Sequence, residues 1–328
     1  MNKMLKSSCA TVIGAMMATS SIAGGHAQSW DMPMAYSATN YHSEQGVIFA
    51  DLVREYTSGA IDITVHPGGS LFGGGDIKRA IQTGQVPIGE RFMSAHANEA
   101  PLLGWDNLPF IATTYEDNAR LWEAARDVVN GQLADLNLVA LYTCPWPGQG
   151  FYFNKEVTSS ADTQGVKFRS YNSATATFAE ELGMIPVQVE AAELSQALAT
   201  GVASSFISSG STGYDRKVWE HLSHYYKVNA WLPRNYVMVN TQVWNDLDAE
   251  TQAGIQRAAD ETAGSCAAKS ADLSNFYFDE LAKNGMIVED AGPEFLAELQ
   301  AIGVKMTAKW LETAGAEGQA IVDAYNAN

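Results

Sequence analysis

This 328-residue chain is short of positive charge: 20 Lys and Arg face 37 Asp and Glu, a formal net charge of −17. Phosphate contacts need clustered cations, so nucleic-acid binding is excluded, and docking on anionic lipid with it. Cysteines number three, which leaves neither a disulfide framework nor a Cys-rich metal site. No run reaches the ~18 apolar residues of a membrane span, and there is no internal repeat. GxGxxG and the Gly-Lys-Ser/Thr ending of a phosphate loop are missing, and Gly210-Ser-Thr-Gly213 is not a GxSxG elbow. What remains is a globular chain, 46% hydrophobic, longer than the ~250–300 residues at which single cores stop growing.

The N-terminus carries an address. Lys3 and Lys6 precede a weakly polar stretch from Cys9 to Ala23, and Gly25-His26-Ala27 sets small residues at −3 and −1 of a cut after Ala27. This is the plan of a secretory signal peptide over 1–27, with no lipoprotein site at Cys9. Its removal takes two lysines and no acid. Cys144 and Cys266 remain. Export permits a bridge between them, but Cys266 falls on the apolar stripe of a helix, and two unpaired buried thiols are expected.

Strands and helices alternate through most of the rest. Trp30 to Tyr36 reads as a strand, Ser43 to Ser58 as a helix, and Ile61 to Val65 as a strand. A glycine loop, Gly68 to Gly75, leads to a helix that Asp76 caps, and Val86 to Gly89 is a short strand. Asp117 to Leu136 is helical, and Leu138 to Thr143 is an apolar strand of the parallel-sheet kind. Phe151–Phe153, Val166–Arg169 and Ile185–Val189 read as further strands, with helices over Ser173–Leu182 and Glu193–Thr200. The sum is an α/β protein with largely parallel sheets. One element breaks the rhythm: from Ala249 to Asn284 nothing opposes a single helix, capped by Asp248 and ended at Gly285. At ~1.5 Å per residue it is long enough to be a spine joining two lobes.

The order of motifs resembles the periplasmic solute receptors of tripartite ATP-independent periplasmic (TRAP) transporters, the DctP-like family, across nearly the whole mature chain. The marks are Ile61-Asp-Ile-Thr-Val-His-Pro-Gly-Gly-Ser-Leu71, Ala80-Ile-Gln-Thr-Gly-Gln-Val86, Leu108-Pro-Phe110, Gly165-Val-Lys-Phe-Arg169, Glu193-Leu-Ser-Gln-Ala-Leu-Ala-Thr-Gly201 and the spine helix. The resemblance implies a two-lobed periplasmic binding protein fold. Residues 28–150 and 240–270 are expected in lobe I, and 151–239 and 271–328 in lobe II. It further implies a monomeric periplasmic receptor, not an enzyme, that traps a small organic acid between its lobes and hands it to the membrane subunits of an ion-driven permease. No cofactor and no metal are expected.

Arg169 leads the candidate residues. It ends an apolar strand, where open α/β sheets place ligands, and its guanidinium can pair bidentately with a carboxylate. In the resembling family the matching arginine does so; the competing reading is a structural bridge to Asp162 or Glu180. Arg91 is either a second cation at the cleft mouth or a partner of Glu90. Trp146, held between Pro145 and Pro147, and Tyr36, ending the first strand, are placed as cleft walls or as core. His221 and His224 read as a solvated face rather than a metal pair. The chain departs from the family's pattern twice. Ser208 and Ser209 stand where an amide donor is common, and Tyr152 stands where some relatives carry another arginine. With fewer cations and more aromatic surface, a monocarboxylate with an apolar or aromatic body is the expected ligand. The rival classes are an exported α/β hydrolase, for which Gly73-Gly-Gly75 would cradle a phosphate, and the receptor of an ATP-driven importer.

Overall fold

The computed structural model describes residues 27–327, so the expected signal peptide lies, but for Ala27, outside the described residues. In chain order the elements are β1 (Gln28–Pro33), α1 (Tyr41–Tyr56), β2 (Ile61–His66), α2 (Gly74–Gln82), β3 (Ile88–Phe92), α3 (Tyr115–Asp135), β4 (Leu138–Pro145) and β5 (Gly150–Phe153). There follow β6 (Lys167–Ser170), α4 (Ser173–Glu181), β7 (Ile185–Gln188), α5 (Leu194–Ala199), β8 (Ser205–Ser208), α6 (Gly210–Asp215) and β9 (His224–Lys227). The chain closes with β10 (Arg234–Asn240), α7 (Thr241–Asn245), α8 (Ala249–Lys283), β11 (Ile287–Asp290) and α9 (Pro293–Ala327).

Two lobes form around separate sheets. The first holds the parallel pair β1–β2 and the three-stranded sheet β3–β10–β4; the second holds six strands in the order β11–β9–β5–β8–β6–β7. The sheets are mixed rather than largely parallel. The reason is β10, which returns from the second lobe and runs antiparallel to both β3 and β4, while β5 runs antiparallel to β8 and β9. The two crossing segments are stitched together: Trp146 N donates to Pro233 O (2.7 Å), Gln149 N to Trp231 O (3.0 Å) and Ala230 N to Gln149 O (3.0 Å).

Helix α8 is the expected spine. Asp248 caps it by accepting from Thr251 N (2.8 Å), and its 35 residues at ~1.5 Å each make a rod of about 52 Å. Ile255, Ala258 and Ala259 pack into the first lobe's core, and Leu281 into the second's. A second long helix, α9, does the same in reverse. Phe295, Leu299, Ile302 and Met306 join the second lobe, and beyond a break at Gly315 (φ 64°), Ile321 and Tyr325 join the first.

Cys144 and Cys266 form a disulfide, Cα–Cα 5.7 Å, which overturns the expectation of two unpaired thiols. The apolar stripe did put Cys266 inside, but against the end of β4, where Cys144 waits. The bridge ties the spine to the strand that leads into the crossing segment. It also removes both sulfurs as metal ligands, although His42 approaches them closely. Cross-linking a 122-residue separation gives a loop-entropy stabilisation of about 4–5 kcal/mol. Reduction, or Cys144→Ala with Cys266→Ala, should therefore lower the melting temperature by several degrees, and thiol titration of the unreduced folded protein should find neither cysteine. An unchanged melting curve after complete reduction would count against the bridge.

Candidate functional site

The lobes meet over a small cavity of about 50 Å³, lined from both sides. Of the residues singled out from sequence, Tyr36, Arg91, Trp146, Arg169 and Ser208 line it; Tyr152 and Ser209 do not. Tyr152 is fully buried within the second lobe, stacked on Phe206 (4.3 Å) and donating to Ser209 O (2.8 Å). Strand β5 is covered on both faces, so Phe151 and Phe153 enter one core and Tyr152 the other. Ser209 caps α6, its hydroxyl turned to Thr212 N. His221 and His224 are not helical neighbours: a short 3-10 turn ends at Glu220 and His224 opens β9.

Arg169 sits near the end of β6, 3% exposed. Its Nε donates to Val189 O (2.8 Å), and its guanidinium carbon lies 5.2 Å from the centre of the Tyr171 ring. None of the ion pairs among the described residues involves it; Asp162, its suggested partner, accepts instead from Thr158 and Ser159. Burial lowers its pKa to about 10, so at neutral pH it remains a cation in a poorly solvated place. Buried charges of this kind require pairing. Residue 171 follows 169 on the same face of the chain, a period-2 relation that the sequence offers to any reader of β6. The Tyr171 hydroxyl accepts from Trp231 Nε1 (3.1 Å), and burial pushes its pKa well up.

Arg91 lies within β3, not after it, because the strand runs three residues past its expected end and continues to Phe92. The β alternation turns Glu90 away, to a buried pair with His42 Nδ1 (3.0 Å), and leaves Arg91 facing the cleft. There Arg91 pairs across the lobes with Glu190, Nη2 to Oε1 at 3.1 Å and Nη1 to Oε2 at 3.4 Å. Its Nε reaches His96 Nε2 (3.5 Å), whose other ring nitrogen meets Glu99 (3.0 Å). Burial lowers the His96 pKa.

Trp146 forms one wall and is held on three sides. Its Nε1 donates to Asn235 Oδ1 (2.8 Å), its ring lies 4.1 Å from that of His42, and Tyr36 meets it edge-on at 4.7 Å. Burial raises the Tyr36 pKa. Phe92 approaches Tyr171 edge-on across the cleft (5.4 Å). Gln149, Glu190 and Thr212 also line the space and were not singled out from sequence. Glu190 had a signal: it follows the parallel strand β7 at its C-terminal end, the same position in the sheet that drew attention to Arg169. At the edges, Asn40 donates to Asp215 Oδ2 (2.6 Å) and Asn172 to Asn107, so polar contacts bridge the lobes on both sides.

The constellation holds two guanidiniums, one carboxylate and aromatic walls, with no nucleophile–base pair. It can bind an anion. A family model, DctP, "bacterial extracellular solute-binding protein, family 7", matches residues 34–313. Among solved structures, the chain is similar to a TRAP solute-binding protein specific for pyroglutamate from an unidentified marine microbe: 75% identity, TM-score 0.91, covering 92% of this chain and 99% of that one. It is also similar to a Bordetella pertussis extracytoplasmic solute receptor binding pyroglutamic acid, at 39% identity and TM-score 0.90, over 92% of this chain and 100% of that one. A curated relative, the C4-dicarboxylate-binding periplasmic protein DctP of Rhodobacter capsulatus, is 28% identical over 77% of this chain and 75% of its own length.

Trp146→Phe keeps most of the wall but strands Asn235 Oδ1, whose amide nitrogen already lacks a partner. A buried acceptor left unpaired costs about 1–3 kcal/mol, whereas Trp146→Ala should cost about 3–5 kcal/mol through the cavity it leaves. Denaturant melts of the two variants should rank in that order. Equal and negligible losses would mean that the ring is not packed as described.

Proposed function

The chain belongs to bacterial extracellular solute-binding protein family 7, and we propose that it is a monomeric periplasmic receptor that captures pyroglutamate and delivers it to the membrane subunits of a TRAP permease. Its family binds solutes and does not transform them, so the hydrolase reading falls away. No helix among the described residues is long and apolar enough to cross a membrane.

The observation that carries the ligand class is Arg169: a buried guanidinium, one hydrogen bond to a carbonyl, and no acid partner among the described residues. A ligand carboxylate supplies the missing charge by a forked pair. Pyroglutamate, the lactam of glutamate, carries one carboxylate on a compact ring. Its carboxylate suits Arg169, and its ring suits the aromatic surfaces of Tyr36, Trp146 and Tyr171. Three relatives at 75%, 39% and 35% identity bind pyroglutamate, which supports the same choice here. The wider monocarboxylate class expected from sequence contains it.

We place the lobe boundary at the paired crossing segments near 146–149 and 230–233 and within α8 and α9, with β10 in lobe I. Ligand contacts on both sides of that boundary favour closure.

Pyroglutamate at about 100 times its dissociation constant should stabilise the protein by about 2.7 kcal/mol, a visible thermal shift. Arg169→Ala leaves a desolvated anion unpaired, costing about 3–5 kcal/mol, a hundred-fold or more in affinity. Arg169→Lys loses the fork and should also bind far more weakly. Calorimetry on the three proteins decides. A wild-type protein that ignores millimolar pyroglutamate would sink the ligand assignment, and near-native affinity in Arg169→Ala would move the anion site elsewhere.

A further inference from the structure

We infer that Glu190 sets the ligand's charge: by occupying Arg91 it leaves the cleft with one uncompensated positive charge, so that monocarboxylates are accepted and dicarboxylates refused. The inference rests on the receptor reading above and deepens it.

The cavity is lined by three side chains charged at neutral pH: Arg91, Arg169 and Glu190. Two positive charges and one negative leave room for one carboxylate. Arg169 is the open one, while Arg91 is largely spoken for. Of the five N–H donors on a guanidinium, those on Nη1 and Nη2 that face Glu190 and the one on Nε that faces His96 are engaged. A second ligand carboxylate would meet the Glu190 carboxylate rather than a free guanidinium. Two carboxylates sharing a water-poor site repel, and one must take up a proton or leave. Arg91 is 4% exposed and the Glu190 side chain 37%, so solvent relieves only part of the repulsion on that side.

The surroundings are shaped to keep the pair. A Cβ on Gly74 would stand 2.7 Å from Arg91 Nη1 and 2.9 Å from Glu190 Oε2, so a side chain there would force the pair to shift. A Cβ on Gly75 would stand 3.7 Å from Glu190 Oε1. This accounts for the glycine loop that reads, in sequence, like a phosphate cradle. The N-terminal turn of α2 already faces a carboxylate of the protein itself. Glu190 belongs to the second lobe's sheet end and Arg91 to the first lobe's β3, so the pair forms only where the lobes meet.

The test measures succinate, a dicarboxylate, against wild type, Glu190→Gln, Glu190→Asp and Arg91→Gln by calorimetry, with melting curves to confirm folding. Glu190→Gln frees Arg91 and should bind succinate at least ten-fold more tightly than wild type does. Glu190→Asp keeps the charge and should still refuse it, and Arg91→Gln should gain nothing. A pair that merely latches the lobes would, when broken, weaken pyroglutamate and succinate alike. Folded Glu190→Gln that binds succinate no better than wild type, or not at all at millimolar concentration, overturns the inference. Pyroglutamate binding by wild type is read separately and bears on the ligand assignment alone, so the two can fail independently.

Discussion

A guanidinium taken out of water without a counter-ion is the constraint around which the cleft is arranged. Arg169 keeps one hydrogen bond, to Val189 O, and the face of Tyr171, and burial brings its pKa down only to about 10. It therefore stays charged at neutral pH, at a cost that the packing of β6 between β7 and β8 must carry. A carboxylate built into the protein would relieve that cost and would also compete with the ligand. Glu190, which lines the same cavity, pairs with Arg91, and Asp162, the partner suggested by sequence, is held in a turn. On the function proposed above, a ligand carboxylate would relieve this penalty on entry.

Relief needs both lobes. Arg169 and Tyr171 come from the second, Tyr36, Arg91 and Phe92 from the first, and Trp146 from the segment between them. Water leaves the site only when these surfaces meet, and a charge pair strengthens as the surrounding dielectric falls. The edge contacts, Asn40 with Asp215 and Asn172 with Asn107, add directional bonds that fix how far the lobes approach. Behind them, α8 and α9 run through the cores of both lobes, and the disulfide fastens α8 to β4.

Much of this was legible in sequence because local chemistry governs it. The spine helix announced itself through its cap and its uninterrupted length, and Arg169 through its place at a strand end. What stayed hidden depends on distant pairing. Strand β10 was passed over, although Tyr236-Val-Met-Val239 is apolar enough, because its partners lie some ninety to a hundred and fifty residues earlier and no local signal names them. The disulfide joins residues 122 apart for the same reason. Helix α9 has a regular apolar stripe in Phe295, Leu299, Ile302 and Met306, but glycines and a mid-helix break dilute it. Tyr152 was singled out through the family resemblance, whereas the strand's alternation sends it into the core away from the cleft.

The overall acidity then needs a place in the account, since a chain of net charge −17 binds an anion. The surface carboxylates act through water and salt, and at physiological ionic strength their field decays over about 8 Å. Arg169 acts at contact distance, in an enclosure where its charge is not screened. On the function proposed above, affinity would be decided by a few groups inside, while the surplus of acids outside would act on solubility and the rate at which anions arrive. The separation explains why the charge count excludes nucleic acid so well yet says nothing against a carboxylate. Phosphate backbones must be met by many exposed cations at once, and a small acid by one that is buried.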